Sequence, residues 1–261
     1  MAEATAPAAR GADRASQLLA RPAILRLASS CSATLIAGVL VGGFGTRLAM
    51  RLSAMAADDS RIGLITDNGN VVGEITGEGT LALFVFVGLA AGLSMGLMLF
   101  VLRTVLPSRL LPLSVSVVFL ATGSSLVIDP ANPDFAILGN RILNVAMFVA
   151  LFPAFGCTSV WLAERFDRWL VQRPLVRLAP FTLAAAALAV VLGVLGVVLL
   201  AVATRLPLGV AIVLVAVLGL AAAVSSGRGA FLARSGALAL LVVVSIAGLA
   251  QLVGDVITIV R

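Results

Sequence analysis

From Leu178 to Ala203 the chain carries no charged side chain, and within Ala184–Ala203 polar and apolar positions do not alternate. An uninterrupted apolar run of this length is long enough to cross a bilayer as a helix. Composition agrees: 61% of the 261 residues are apolar and only 11% are charged. A soluble domain carries about a quarter charged residues. In hydrocarbon, backbone N–H and C=O groups must bond to each other, so only helices or closed barrels can cross. Barrel strands would alternate apolar and polar positions. The expected class is therefore all-α integral membrane.

Seven apolar stretches are expected to be transmembrane helices, at residues 27–50, 80–102, 112–128, 142–163, 178–203, 208–224 and 236–257. Residues 1–26, rich in Ala, Arg and Pro, read as a disordered cytoplasmic N-terminus. The expected domain division is that terminus followed by a transmembrane helical domain, 27–261, with an outer hairpin loop at 58–79. In that loop, Ile62–Thr66 and Val71–Thr76 flank Asp67-Asn68-Gly69-Asn70. Asn-Gly between β-prone runs predicts a small extracytoplasmic β-hairpin between the first two helices. Thr80 is then placed to cap the second helix.

All 18 basic residues are arginine. Taken span by span they divide into two alternating sets. Arg10, Arg14, Arg21, Arg26, Arg103, Arg109, Arg165, Arg168, Arg173, Arg177, Arg228 and Arg234 fall on one side. Arg47, Arg51, Arg61, Arg141, Arg205 and Arg261 fall on the other, with most of the acidic residues. Because arginine is retained on the cytoplasmic side, the chain reads as a plasma-membrane protein with N-terminus cytoplasmic and C-terminus extracytoplasmic. The formal charge of +6 does not gather on a soluble face, so no nucleic-acid partner is expected.

Several chemistries are excluded. There is no His, Lys or Tyr, so imidazole base and metal chemistry, Schiff-base lysine and phenol chemistry are absent. No GxSxG, HExxH, P-loop or dinucleotide glycine pattern occurs. Cys31 and Cys157 lack CxxC spacing and read as small buried apolar residues. No cofactor and no metal are expected. The loop Asp129-Pro130-Ala131-Asn132-Pro133-Asp134 is rich in side-chain oxygen but matches no EF-hand spacing.

Two groups of residues stand out. Gly38 and Gly42 form one GxxxG, and Gly88, Gly92 and Gly96 form two more in tandem. Spacing by four lines glycines along one helix face, so the first two helices are expected to pack closely there, or two copies to associate. The second group is polar and lies on the outer side: Arg47, Arg51, Glu74, Asp129, Asp134, Arg141 and Asn144. On a helical wheel Arg47 and Arg51 face away from the glycine seam. They are candidates for snorkelling anchors, for pairing with outer carboxylates, or for binding an anionic group. Asn140, Arg141 and Asn144 open the fourth helix and can pin the neighbouring loop or orient a ligand. On the inner side, Trp161–Arg177 interleaves Trp161, Phe166 and Trp169 with arginines. That is the pattern of a segment at headgroup depth, with anionic-lipid recognition as the functional alternative.

Gly42-Gly43, Arg47 and Met50-Arg51 form one set of residues. Thr66-Asp67, Gly69 and Val72-Gly73-Glu74 form a second. Pro133-Asp134-Phe135 and Leu143-Asn144-Val145-Ala146 form a third. Together they resemble a group of uncharacterised multi-pass membrane proteins of GC-rich bacteria. The likeness covers roughly the first two-thirds of the chain and implies topology, with no activity attached. The expected function is a non-enzymatic membrane protein whose outer polar cluster serves partner binding or assembly. A small-solute transporter or channel subunit is one alternative, and a membrane enzyme acting on lipid or envelope substrates is another. The lipid bilayer is the expected partner, with a second protein or a second copy through the glycine faces.

Overall fold

The computed structural model describes residues 23, 25–57, 59–66, 69, 71–72, 74, 76–124, 127–137, 140–171, 191, 206–224 and 227–261. All regular structure among them is helical. α1 is Leu25–Met55. Two α segments follow, α2 (Gly77–Ala82) and α3 (Ala90–Val105), separated by a π-wound stretch at Leu83–Leu89. Then come α4 (Leu111–Gly123), the short α5 (Asp134–Ile137), α6 (Arg141–Val171), α7 (Leu206–Val224) and α8 (Gly227–Val260).

Among the described residues, three helices are long and apolar enough to cross a membrane: Leu25–Met55, Arg141–Trp169 and Gly227–Val260, at 31, 29 and 34 residues. At 1.5 Å per residue each is about 44–51 Å long, more than the ~30 Å of a hydrocarbon core. The expected count of seven is thereby corrected. The stretch expected at 80–102 is represented by two shorter apolar helices, Gly77–Leu89 and Met95–Val105. That expected at 112–128 stops as an α-helix at Gly123, after 13 residues. The 178–203 stretch lies outside the described residues, as does the expected disordered terminus up to residue 22. Apolar content sets where helix can form in lipid, but not how its hydrogen bonds are wound or where a turn ends it.

The expected β-hairpin is also corrected. Ile65 and Val71 form one isolated antiparallel bridge, without a strand on either side among the described residues. Around it Val72 N donates to Leu64 O at 2.9 Å and Gly63 N to Val72 O at 3.1 Å. Gly63 has φ +88°, a conformation that takes the first arm out of the extended region and ends pairing there. The helix that follows starts at Gly77 and is capped by Thr76, not Thr80: the Thr76 hydroxyl accepts from Gly79 N at 3.1 Å.

Two apolar clusters hold the helices together. One joins Leu27 and Ala33 of α1, Met95–Leu102 of α3, Phe155 and Ala163 of α6, Ile212 of α7 and Leu241 of α8. The other joins Ala49 of α1, Phe135, Val145 and Phe148, and Leu252 and Ile259 of α8. The start of α1 thus shares a cluster with the end of α6, and the end of α1 with the start of α6 and the end of α8. The three long helices run antiparallel in sequence order. Ile36, Leu40, Phe44, Leu48 and Leu52 form an exposed apolar stripe down α1, a face suited to hydrocarbon and not to water.

Candidate functional site

Close approach of α1 to the second helical rod is made by glycine. A Cβ on Gly38 would stand 2.1 Å from Gly88 O, and one on Gly92 would stand 2.7 Å from Thr34 O. A Cβ on Gly42 would meet Gly88 Cα at 3.3 Å, and one on Gly96 would meet Cys31 Sγ at 2.9 Å. Backbones pack here with no room for a methyl group, as small-residue seams allow. Further close approaches lie outside the GxxxG pattern, three of them on later helices. Gly156 of α6 meets Ser116, Gly219 of α7 meets Val101, and Gly248 of α8 meets Ala121 O. Each is a single glycine against a non-glycine partner, so spacing alone gave no signal.

Residues Gly38–Gly45 of α1 are themselves π-wound. A π turn takes i→i+5 bonds and more residues per turn than an α turn. Every position beyond Gly38 therefore sits at a different azimuth from the one a 3.6-residue wheel assigns. Arg47 is affected directly. The wheel turned it away from the glycine seam, toward headgroups or another part of the bundle; the side chain is half-buried, and its Nε and Nη2 are buried with no hydrogen-bond partner among the described residues. Arg51, one turn on, is exposed.

The other residues of that polar group are distributed along turns and helix ends. Glu74 is exposed. Asp129 Oδ1 accepts from Ala131 N at 2.9 Å, and Asn132 Oδ1 accepts from Asp134 N at 2.8 Å. These are Asx turns, which shape the loop with side-chain oxygens a cation would otherwise use. Among the described residues no three His, Cys, Asp or Glu side chains gather. Asn140 Oδ1 accepts from Leu143 N at 3.0 Å and caps α6. Arg141 Nη1 donates to Ile259 O at 3.1 Å, placing a cation on the carbonyl-rich end of α8. Arg61 Nη1 donates to Ile137 O at 3.1 Å, joining the 59–61 turn to the end of α5. Asn144 is 1% exposed. Thus Arg61, Asp129, Asn140 and Arg141 fasten loops and helix ends, while two Arg47 nitrogens are buried with no acceptor among the described residues.

A second polar cluster was not foreseen from sequence. Arg103, at the end of α3, forms an ion pair with Asp167 of α6. Its Nη1 also donates to Ser29 Oγ at 3.0 Å and to Ser30 Oγ at 3.1 Å. Ser29 Oγ donates to Asp167 Oδ1 at 2.6 Å, and Ser30 Oγ to Arg26 O at 2.7 Å. The Arg103 side chain is only 10% exposed and that of Asp167 is 34%. A guanidinium buried to this degree needs an ionised partner and further acceptors, and the two serines and the aspartate supply them. The cluster ties α1, α3 and α6 at the end where α1 begins. In sequence, Arg103 and Asp167 look like two unrelated boundary charges.

Of the two cysteines, Cys31 is half-buried beside Gly96, whereas Cys157 is exposed. The expectation that both are buried holds for neither in full.

No family model matches this chain, and neither a curated protein nor a solved structure matches it.

Proposed function

We propose that this chain is a non-enzymatic, multi-pass protein of a bacterial plasma membrane, and that its outer polar face around Arg47 binds a partner protein through an acidic side chain. The reading rests on one observation: Arg47 Nε and Nη2 are buried with no acceptor among the described residues. Buried guanidinium nitrogens left without acceptors cost about 1–3 kcal/mol. If the side chain turns that edge outward, a carboxylate brought by a partner supplies two parallel acceptors in the geometry a guanidinium favours. The neighbouring outer groups do not compete for that role, because Arg61 and Arg141 donate to backbone carbonyls.

The N-terminus is read as cytoplasmic and the C-terminus as extracytoplasmic. Support comes from arginine at the ends of the three long helices. Arg26 lies at the start of α1, Arg165 and Arg168 near the end of α6, and Arg228 and Arg234 at the start of α8. The opposite ends hold Arg47, Arg51, Arg141 and Arg261 together with Asp129, Asp134 and Asp255.

Affinity capture in mild detergent tests the partner reading, comparing wild type with Arg47→Ala/Arg51→Ala. The expected result is a partner retained by wild type and lost from the double variant. The same partners at the same abundance in both would overturn it.

A further inference from the structure

We propose that the outward face of α6 formed by Trp161, Arg165, Arg168 and Trp169 is a binding surface for the headgroups of anionic phospholipid. The proposal rests on the reading that α6 crosses a bilayer. Positions 161, 165, 168 and 169 recur at four, seven and eight residues, which places them on one side of a helix. Trp161 is 55% exposed and Trp169 is 47% exposed. Arg165 and Arg168 are exposed between them. The Arg165 guanidinium carbon stands 5.7 Å from the centroid of the Trp161 ring, so the cation is held against an aromatic face. The opposite side of the same turns, Val160 and Ala163, is buried in the bundle.

Depth follows from helix length. Counting from Ile142, Trp161 lies about 29 Å along the axis, at the far edge of a hydrocarbon core of ~30 Å. Trp169 lies about 12 Å further along the axis, beyond the ~5–8 Å headgroup layer for an upright helix and brought to it by tilt. Indole rings favour that boundary, and guanidinium groups beside them reach phosphate.

The local charge favours an anion. Of the two acidic residues in this part of α6, Asp167 is committed to Arg103 and Ser29. Its charge is therefore compensated within the protein. Glu164 is exposed beside the face and opposes binding. Arg26 and Arg109 are exposed at the same end of the bundle and add to the positive field. An arginine near an anionic membrane surface strengthens association by about fivefold. A zwitterionic headgroup gains no such term.

The chain offers its own reporter. Trp161 and Trp169 are its only two tryptophans and it has no tyrosine, so intrinsic emission reads this face alone. The experiment reconstitutes the full chain into vesicles of phosphatidylcholine and phosphatidylglycerol at equal mole fraction, with one or the other lipid brominated. Stronger quenching by brominated phosphatidylglycerol than by brominated phosphatidylcholine is expected. The preference should fall toward unity in Arg165→Gln/Arg168→Gln and rise in Glu164→Gln. All three positions are solvent-exposed, so the variants are expected to fold. Equal quenching by the two lipids overturns the proposal and leaves α6 in the membrane. Quenching by neither lipid overturns the membrane reading as well.

Discussion

Ser29 and Asp167 stand 138 positions apart and share a 2.6 Å hydrogen bond, and both also bind Arg103. The arrangement completes the acceptors around a guanidinium that is almost wholly withdrawn from solvent. Removing one member leaves the others in a worse position than removing the charge altogether.

Asp167→Ala is therefore expected to lower stability by about 2 kcal/mol, because Arg103 loses its counter-ion while remaining buried. The partial exposure of Asp167 keeps the loss below that of a fully buried pair. Arg103→Met/Asp167→Leu should recover part of the loss. Unfolding of the purified protein in mixed micelles, monitored for Arg103→Met, Asp167→Leu and the double variant, gives the coupling. Additive losses would mean that the pair does not act as a unit.

The seam between α1 and the second helical rod predicts a contrast between glycines. Gly38→Ala would place a methyl group against Gly88 O, and both neighbours are backbone that cannot swing aside. A loss of about 1–3 kcal/mol is expected from overpacking. Gly254 of α8 has nothing within 4 Å of its Cβ position. Gly254→Ala should be neutral or stabilising by up to about 1 kcal/mol, through helix propensity alone. Thermal melting of both variants side by side decides it; equal shifts would count against the close approach.

These two cases also show what could be read before the fold was known. The tandem glycines at 88, 92 and 96 carry their spacing in the sequence, and they meet α1 backbone at Gly38, Thr34 and Cys31. Helix-forming apolar runs are similarly plain. The Arg103–Asp167 pair was not legible, because nothing local tells an arginine at a helix end that its partner lies on another helix. The azimuth of Arg47 is not fixed by a 3.6-residue wheel for a different reason: the π winding of Gly38–Gly45 shifts every later position. The hairpin failed at Gly63, whose positive φ ends the extended arm that the β-prone residues Ile62 and Ile65 suggested.

The start of α2 separates two threonines that sequence makes look equivalent. Thr76 accepts from Gly79 N and caps the helix, whereas Thr80 Oγ1 donates back to Thr76 O at 2.8 Å. Thr76→Ala should cost about 1 kcal/mol of local stability, and Thr80→Ala clearly less. Hydrogen exchange of the amides from Gly79 to Ala82 reads the fraying directly. Faster exchange in Thr80→Ala than in Thr76→Ala would reverse the assignment of the cap.

Arg47 yields a prediction of opposite sign to most substitutions. Nε and Nη2 are buried with no acceptor among the described residues, so an apolar side chain of similar length relieves a desolvation cost. Arg47→Met is expected to raise stability by about 1–3 kcal/mol. Arg51 is exposed, and Arg51→Met should change stability by less than about 0.5 kcal/mol. If the guanidinium of Arg47 is held for a partner, the more stable variant is also the one that no longer binds, the usual opposition between a site and its scaffold. Melting of purified wild type, Arg47→Met and Arg51→Met measures the first half. Capture of the partner by the same three proteins measures the second. A destabilised Arg47→Met would mean that the arginine already has its acceptor within the chain, and the outer face would lose its claim to a partner.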